Sequence, residues 1–195
     1  MIPVNIIVQT NEIYLRDINI NDVDNGWLDW VNNKSLFKYL SSPSGYSRDQ
    51  LIEYMENSKL PTSKILAVCR VKDDLYMGNV RLSSIDNTNL SAAYGRLIGV
   101  TGHGCKNVGT NTLIMIAYYA FVILKLNRIY SGVVASNIAS VKSNMKAGFH
   151  NEGTSRESTF INGKFIDSIR FSMLRSDFFD KNLISNLVFN NNENN

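Results

Sequence analysis

Residues 92–124 read AAYGRLIGVTGHGCKNVGTNTLIMIAYYAFVIL, a strand, a loop and an apolar helix in that order. Ala92 to Gly99 carries the strand, and Gly95 inside it signals a bulge or a close backbone approach against which a ligand can lie. Val100 to Gly109 is rich in Gly, His and Asn and reads as a loop. Thr110 to Leu124 forms the helix. Its uncharged run from Leu113 to Leu124 falls short of the roughly 20 residues of a membrane span and belongs in a core. A loop entering a helix offers backbone N–H groups without intrahelical partners and the positive end of the helix dipole, which together attract anions. Within Gly104-Cys105-Lys106-Asn107-Val108-Gly109-Thr110, Lys106 adds charge, Gly104 and Gly109 admit close approach, and Thr110 offers a hydroxyl. Phosphate oxygens fit such a site, and a plain loop closed by a capping glycine fits the same residues. The Gly104 to Gly109 spacing matches half of a P-loop, but Thr110 stands where the essential Lys belongs, which excludes a nucleoside triphosphatase.

Upstream, Ile13, Leu15 and Ile18 mark a first strand, and Asn21-Asp22 offers a cap for a helix carrying Trp27, Trp30 and Val31 on one side. Ser47-Arg48-Asp49-Gln50 is a capping-box pattern that opens a second helix through Leu51, Tyr54 and Met55. Ile65 to Val71 forms a strand that turns at Lys72-Asp73-Asp74 and returns as Leu75 to Ser84, with another turn at Asp86 to Asn89. Downstream come a strand at Arg128 to Val134, a helix at Ala139 to Lys146 ended by Gly148, and a strand at Asn151 to Ser158. Asn162-Gly163 then turns a hairpin into Phe165 to Leu174. This order predicts the α/β (α+β) class with a mixed, mostly antiparallel sheet. One domain is expected over residues 1–180, with an Asn-rich tail over 181–195 too polar to bury and partly disordered.

With 195 residues and 44% hydrophobic content, the chain can bury one sizeable core. Lys plus Arg (20) minus Asp plus Glu (17) leaves +3, a dispersed surplus too small for a nucleic-acid footprint. Two cysteines, Cys69 and Cys105, and two histidines supply neither a disulfide scaffold nor a structural zinc site. Metal-free chemistry in a reducing, cytoplasmic setting is therefore expected. The start, MIPVNIIVQTNEIYLRD, lacks a basic n-region and a small-residue cleavage site, so no secretory signal and no membrane partner are expected.

Five stretches, WLDWVNNKSLFKYL, GNVRLSSID, GRLIG, NIASVKSNMKAGF and FINGKFID, follow one another from roughly Ile13 to Asp177. In order and spacing they resemble the GNAT (Gcn5-related) N-acetyltransferases, and within them the branch of ribosomal-protein N-terminal and nucleotide-amino-sugar N-acetyltransferases. The resemblance implies the GNAT acyl-CoA N-acyltransferase fold, with a sheet of about seven strands of which two splay apart to hold acetyl-CoA. It implies direct acetyl transfer to a primary amine without an acyl-enzyme, the acceptor being the amino group of a nucleotide-linked amino-deoxy sugar for surface glycan synthesis. The rival acceptors are a protein N-terminus, a polyamine and an aminoglycoside. A polyamine would call for converging carboxylates, and Asp49, Glu53 and Glu56 read instead as the solvated side of a helix. A reading from another class is a degenerate module that binds CoA or a partner without turnover. Homodimers through the C-terminal strands or tail are compatible with the sequence.

Carried onto this chain, the resemblance implies that backbone amides around Ile98, Gly99 and Val100 polarise the thioester carbonyl. Those of Cys105, Lys106, Asn107, Val108, Gly109 and Thr110 hold the pyrophosphate, and Asn137 contacts the pantetheine arm. Two positions depart from the family pattern. Asn107 stands where the loop usually carries glycine, although Asn tolerates left-handed backbone. Asn144 stands where many members have a Tyr that protonates the leaving thiolate, and an amide can hydrogen-bond sulfur but cannot titrate.

Candidate bases are Asp86 and Tyr94, followed by Glu157, Asp167 and His103. A turn role for Asp86 and a core role for Tyr94 explain the same residues. His150, after a helix exit, is given no role. Cys105 beside Lys106 at a helix start could be a reactive thiol or a small residue in a glycine's place. Cys69 alternates into the core. Trp27 and Trp30, with Tyr39, Tyr46 and Tyr54, fall on the acceptor side, one Trp in the core and the other free to stack on the acceptor.

Overall fold

The computed structural model describes residues 5–37, 39, 45–100, 105–161 and 163–188. The elements run β1 (Ile6–Gln9), β2 (Ile13–Asp17), α1 (Ile20–Asp22), a π-helical turn (Val23–Trp27), α2 (Leu28–Asn32), α3 (Lys34–Phe37) and α4 (Arg48–Asn57). Then follow β3 (Ser63–Arg70), β4 (Tyr76–Asp86), β5 (Ser91–Ile98), α5 (Val108–Tyr118), which continues as a π-helical turn (Tyr119–Ile123), and β6 (Arg128–Val134). α6 (Ile138–Lys146), β7 (His150–Ile161), β8 (Lys164–Leu174), α7 (Arg175–Asp180) and a 3-10 turn (Leu183–Asn186) complete the order. The strands form one sheet, β1-β2-β3-β4-β5-β6-β8-β7, in which only β5 and β6 pair in parallel. The class is the expected mixed, largely antiparallel α/β fold. Among the described residues the sheet has eight strands rather than about seven, because the four-residue β1 precedes the first expected strand.

β3 shows how the core is divided. Its Leu66 and Val68 pack on one face with Leu113, Met115, Ile116 and Phe121 of the long apolar helix. Its Ile65, Ala67 and Cys69 pack on the other face with Trp27, Val31 and Leu51. Side chains alternate across a strand, so a strand buried on both faces reads as the unbroken apolar run seen here.

The N-terminal helices differ from expectation in detail. Asn19, not Asn21-Asp22, is the cap: its Oδ1 accepts from the Asn21 N–H at 3.0 Å, and Asp22 Oδ2 accepts from the Asn19 N–H at 2.8 Å. Asp22, almost wholly buried, also receives both nitrogens of the Arg16 fork at 2.6 and 2.7 Å, which ties β2 to α1. Gly26, at φ +132°, breaks the helix that was to carry both tryptophans. A Cβ there would lie 2.7 Å from Trp30, so the bend lets the indole fold back. The Ser47–Gln50 capping box forms as read, with bonds of 3.2 and 2.8 Å.

Packing continues past residue 180, where the sequence reading ended the domain: Leu187 is buried and Val188 bonds Gln9. Gly148 closes α6 at φ +89°, as read. Asn162 of the expected hairpin turn, His103, Gly104 and the tail from residue 189 lie outside the described residues.

Candidate active site

β5 and β6 are in register only over Ser91–Arg128, Ala92–Ile129 and Ala93–Tyr130. Beyond these pairs the strands part, and a cleft of about 610 Å³ opens between β5, the start of α5 and α6. Ile98, Val100, Cys105, Asn107, Val108, Gly109, Thr110 and Asn137, all assigned to the cosubstrate from the resemblance, line it. Asn107 sits at φ 58°, ψ 24°, in the left-handed region that glycine would otherwise supply, and its own side chain does not cap α5. The first-turn N–H groups of Val108, Gly109 and Thr110 therefore keep no intrahelical partner at the mouth of the cleft.

Lys106 does not line the cleft: its side chain is exposed, and its N–H donates to Glu12 Oε2 at 3.1 Å. The cations at this end come from α6 instead. Lys146 donates to Asn107 Oδ1 at 2.8 Å, and Lys142, one turn earlier, lines the same wall. Their spacing of four places them on one face of a short helix.

The amides expected to polarise a carbonyl are only partly available. Gly99 and Val100 both donate to Met77 O on β4, at 2.9 and 3.2 Å. In an antiparallel ladder N–H groups alternate between the two neighbours. With Gly99 addressing β4, the Ile98 N–H addresses the other side, where β6 has moved away. Gly99 itself is covered by Trp30, whose ring would lie 1.9 Å from a Cβ there and which stacks on Tyr76 at 4.9 Å. Neither a bulge nor a close neighbour explains Gly95, which pairs regularly with Arg81 and faces open space.

On the other side of β5 a second cavity, about 270 Å³, is walled by Trp27, Tyr46, Tyr54, Arg81, Tyr94 and Gly95. Trp27 meets Tyr54 edge-on at 5.9 Å, and the Arg81 guanidinium lies 5.1 Å above the Tyr54 ring and donates to its hydroxyl. Tyr39 lines the larger cleft instead. Arg96 and Leu97 line both cavities, so the two meet across β5. Arg96 was not singled out in the sequence, because an arginine in an alternating strand reads as a solvent-facing residue. Its fork instead reaches from β5 across the cleft to Gly109 O at 2.9 Å and to the Ser140 and Ser143 hydroxyls of α6.

The sequence-derived bases are not brought together. Asp86 ends β4, outside both cavities, where it accepts from the Thr88 and Asn89 N–H groups of the following turn at 2.8 Å. The Asn89 and Thr88 donors hold its carboxyl below the usual range. Tyr94 lines the smaller cavity, but its hydroxyl donates to Asn144 Oδ1 and burial pushes its ionisation far up. Neither geometry suits a base. On the exposed β7–β8 hairpin the Glu157 backbone N–H donates to Asp167 Oδ1 at 2.8 Å, and His150 is exposed at the start of β7. Asp49, Glu53 and Glu56 are exposed on α4 and line neither cavity. Among the described residues, no group of three or more His, Cys, Asp or Glu could hold a metal, and no helix is long and apolar enough to cross a membrane.

Residues 12–150 match the acetyltransferase (GNAT) domain family. The chain is 28% identical over 172 residues to the probable N-acetyltransferase YjcK of Bacillus subtilis, covering 85% of this chain and 95% of that protein. It is 27% identical over 150 residues to the spermidine N(1)-acetyltransferase of Vibrio cholerae, covering 77% and 86%. The crystal structure of spermidine N-acetyltransferase from Vibrio cholerae with CoA and spermine superposes with a TM-score of 0.78 at 26% identity, over 86% of this chain and 98% of that one. These matches correct the expected branch: spermidine acetyltransferases are alike over 77% to 86% of the chain, whereas the likeness to a putative ribosomal N-acetyltransferase of Bacillus subtilis covers 54% of it. The chain belongs to the GNAT acetyltransferase family and is an acetyl-CoA-dependent N-acetyltransferase.

Proposed function

We propose that this chain acetylates a primary amine of a polyamine such as spermidine or spermine. The observation that carries the reading is the likeness, over 86% of this chain and 98% of the other, to a spermidine N-acetyltransferase with CoA and spermine bound. It replaces the nucleotide-linked amino sugar expected from sequence. The acceptor cavity agrees: at about 270 Å³ it lies below the roughly 300–1,000 Å³ of pockets for drug-sized ligands, and a slender aliphatic amine suits it better than a nucleotide. The absence of an acidic cluster had counted against a polyamine. Aromatic faces attract cations as well, and Trp27, Tyr46 and Tyr54 supply three.

In this reading acetyl-CoA enters the larger cleft with its pyrophosphate at the Val108–Thr110 amides and Lys142 and Lys146. Asn137, already capping α6 through its Oδ1, stands beside the pantetheine arm. The Ile98 N–H polarises the thioester carbonyl. The amine arrives through the aromatic cavity. Arg81 and Arg96 at its inner end disfavour an ammonium there, so the entering nitrogen gives its proton to water and attacks as the neutral amine. Ammonium groups further out stay charged against the rings. Asn144 and Tyr94 hold β5 to α6 at the meeting point.

The test is mass-spectrometric detection of acetylated product with spermidine, spermine, an N-terminal peptide and an aminoglycoside offered separately. Acetylspermidine or acetylspermine as the dominant product is expected. Turnover of another amine with polyamines untouched would overturn the assignment.

A further inference from the structure

Among the described residues, Arg96 is a cation without an anion. Its donors end on one carbonyl and two hydroxyls, all neutral, and no carboxylate among the described residues forms an ion pair with it. Loss of water around it brings the guanidinium down to about 10. A charge withdrawn from water is costly unless an opposite charge meets it. Arg96 also occupies the place where the donor and acceptor cavities touch, so the anion it awaits is one that arrives or forms there.

We propose that Arg96 is a catalytic residue that stabilises the negative charge forming on the CoA sulfur as the thioester breaks. The amine lone pair forms the new C–N bond, the carbon–sulfur bond breaks, its electron pair stays on sulfur, and the nitrogen proton passes to water. Arg96 stays protonated throughout. Two placements favour sulfur over the other anions of the reaction. The carbonyl oxygen is served on β5 itself by the Ile98 N–H, whereas the Arg96 fork reaches away from the strand to Gly109 and α6, along the wall where the CoA arm must lie. The pyrophosphate end already has Lys142, Lys146 and the first amides of α5 at the solvent-facing mouth. A cation beside a thiol favours its thiolate, and a lower-pKa thiol leaves faster. Asn144, hydrogen-bonded to Tyr94 and Ser140 O, has no proton to give that sulfur.

The experiment titrates CoA bound to the intact protein by the ultraviolet absorbance of its thiolate, and measures kcat with whichever amine the acetylation screen turns over. The bound thiol should titrate about one unit or more below free CoA. Arg96→Met should return it toward the free value and lower kcat about 10²-fold, while acetyl-CoA affinity changes little. Arg96→Lys should keep most of the shift. A wild-type thiol that titrates like free CoA would overturn the proposal, as would an undiminished shift in Arg96→Met. So would an effect confined to the binding of 3′-phospho-ADP, which would make Arg96 a pyrophosphate ligand. If Arg96→Met does not fold, the wild type and Arg96→Lys still decide it. The thiol titration needs no acceptor, so its result is independent of whether polyamines are the substrate.

Discussion

Tyr94 on β5 donates its hydroxyl hydrogen to Asn144 Oδ1 on α6, and both side chains are buried. Asn144 in turn donates through Nδ2 to Ser140 O at 2.8 Å, so the strand is tied to the helix just where β5 has left β6. Tyr94→Phe removes the donor and leaves a buried oxygen unmet, at a cost of about 1–3 kcal/mol. Thermal denaturation should show a Tm lower by several degrees. The phenol, pushed up by burial, stays protonated through the neutral range, so the shape of the pH profile of kcat should survive. A vanished ionisation in that profile would make Tyr94 the base after all.

Asp86 should prove dispensable to chemistry. Its oxygens are committed to the β4–β5 turn, and it lies outside both cavities. Asn fills an Asx turn as well as Asp does. Asp86→Asn should leave kcat within about twofold of the parent and leave the acidic limb of kcat/KM in place. Steady-state kinetics across pH would reveal a displaced limb if the carboxylate took the proton.

The Arg128–Glu152 pair joins β6 to β7 across β8, with bonds of 2.9 and 2.7 Å. The Arg128 donors hold the Glu152 carboxyl below its ordinary 4.5. For a carboxyl lowered by folding, the stabilisation is fully present above the unfolded value and is lost as pH falls through the folded one. Both side chains are about a third exposed (33% and 35%), so solvent screening limits the gain to under about 1 kcal/mol. Denaturant titrations of Glu152→Gln should show that small loss at neutral pH and none in strong acid.

How much of this could be read beforehand follows from the range of the forces involved. Local signals held: the Ser47–Gln50 box, Gly148 after α6, the apolar run through Leu124 and the left-handed Asn107 each depend on a few neighbouring residues. The larger cleft was also legible, since a loop entering a helix carries its own unpaired amides. What was missed depends on contacts distant in sequence. Gly95 and Gly99 look alike in AAYGRLIG, yet one faces a cavity and the other lies under Trp30, from a helix about seventy residues earlier. Lys106 seemed the phosphate cation by adjacency, whereas Glu12 from the start of the chain holds its amide. Arg96 could not be separated from a surface arginine without knowing that α5 and α6 close over it. The smaller cavity was hidden for the same reason, because its walls come from α4, β4, β5 and the turn before α2.

Gly99→Ala should strike both stability and cosubstrate binding. A methyl group at Gly99 would lie 1.9 Å from the Trp30 ring, which is held between Gly26 and Tyr76 and has little room to withdraw. Overpacking of this kind costs about 1–3 kcal/mol. The adjoining Ile98 would be pushed as the indole moves, which misplaces the amide proposed to polarise the thioester. Calorimetric titration should show weaker acetyl-CoA binding together with a lower Tm. Trp30→Leu in the Gly99→Ala background should recover part of both, because the smaller side chain vacates the space.

The lysines provide the last comparison, because sequence and structure choose different ones. On the proposed placement of CoA, a pyrophosphate at the start of α5 would face Lys142 and Lys146, and Lys146 is already positioned by Asn107 Oδ1. Lys106 points to solvent outside the cleft. Exposed charges act through screened fields, each contributing up to about 1 kcal/mol at low salt. Removing both in Lys142→Ala/Lys146→Ala should weaken acetyl-CoA binding by about tenfold at low ionic strength, and by less as salt is added. Lys106→Ala should change it far less, since its backbone amide and its partner Glu12 remain. Desulfo-CoA should respond to the double substitution as acetyl-CoA does, because the affected contact is with phosphate and not with sulfur. If Lys106→Ala alone produced the salt-dependent loss, the pyrophosphate would lie on the other side of the loop, and the roles given to Asn107 and α6 would fall with it.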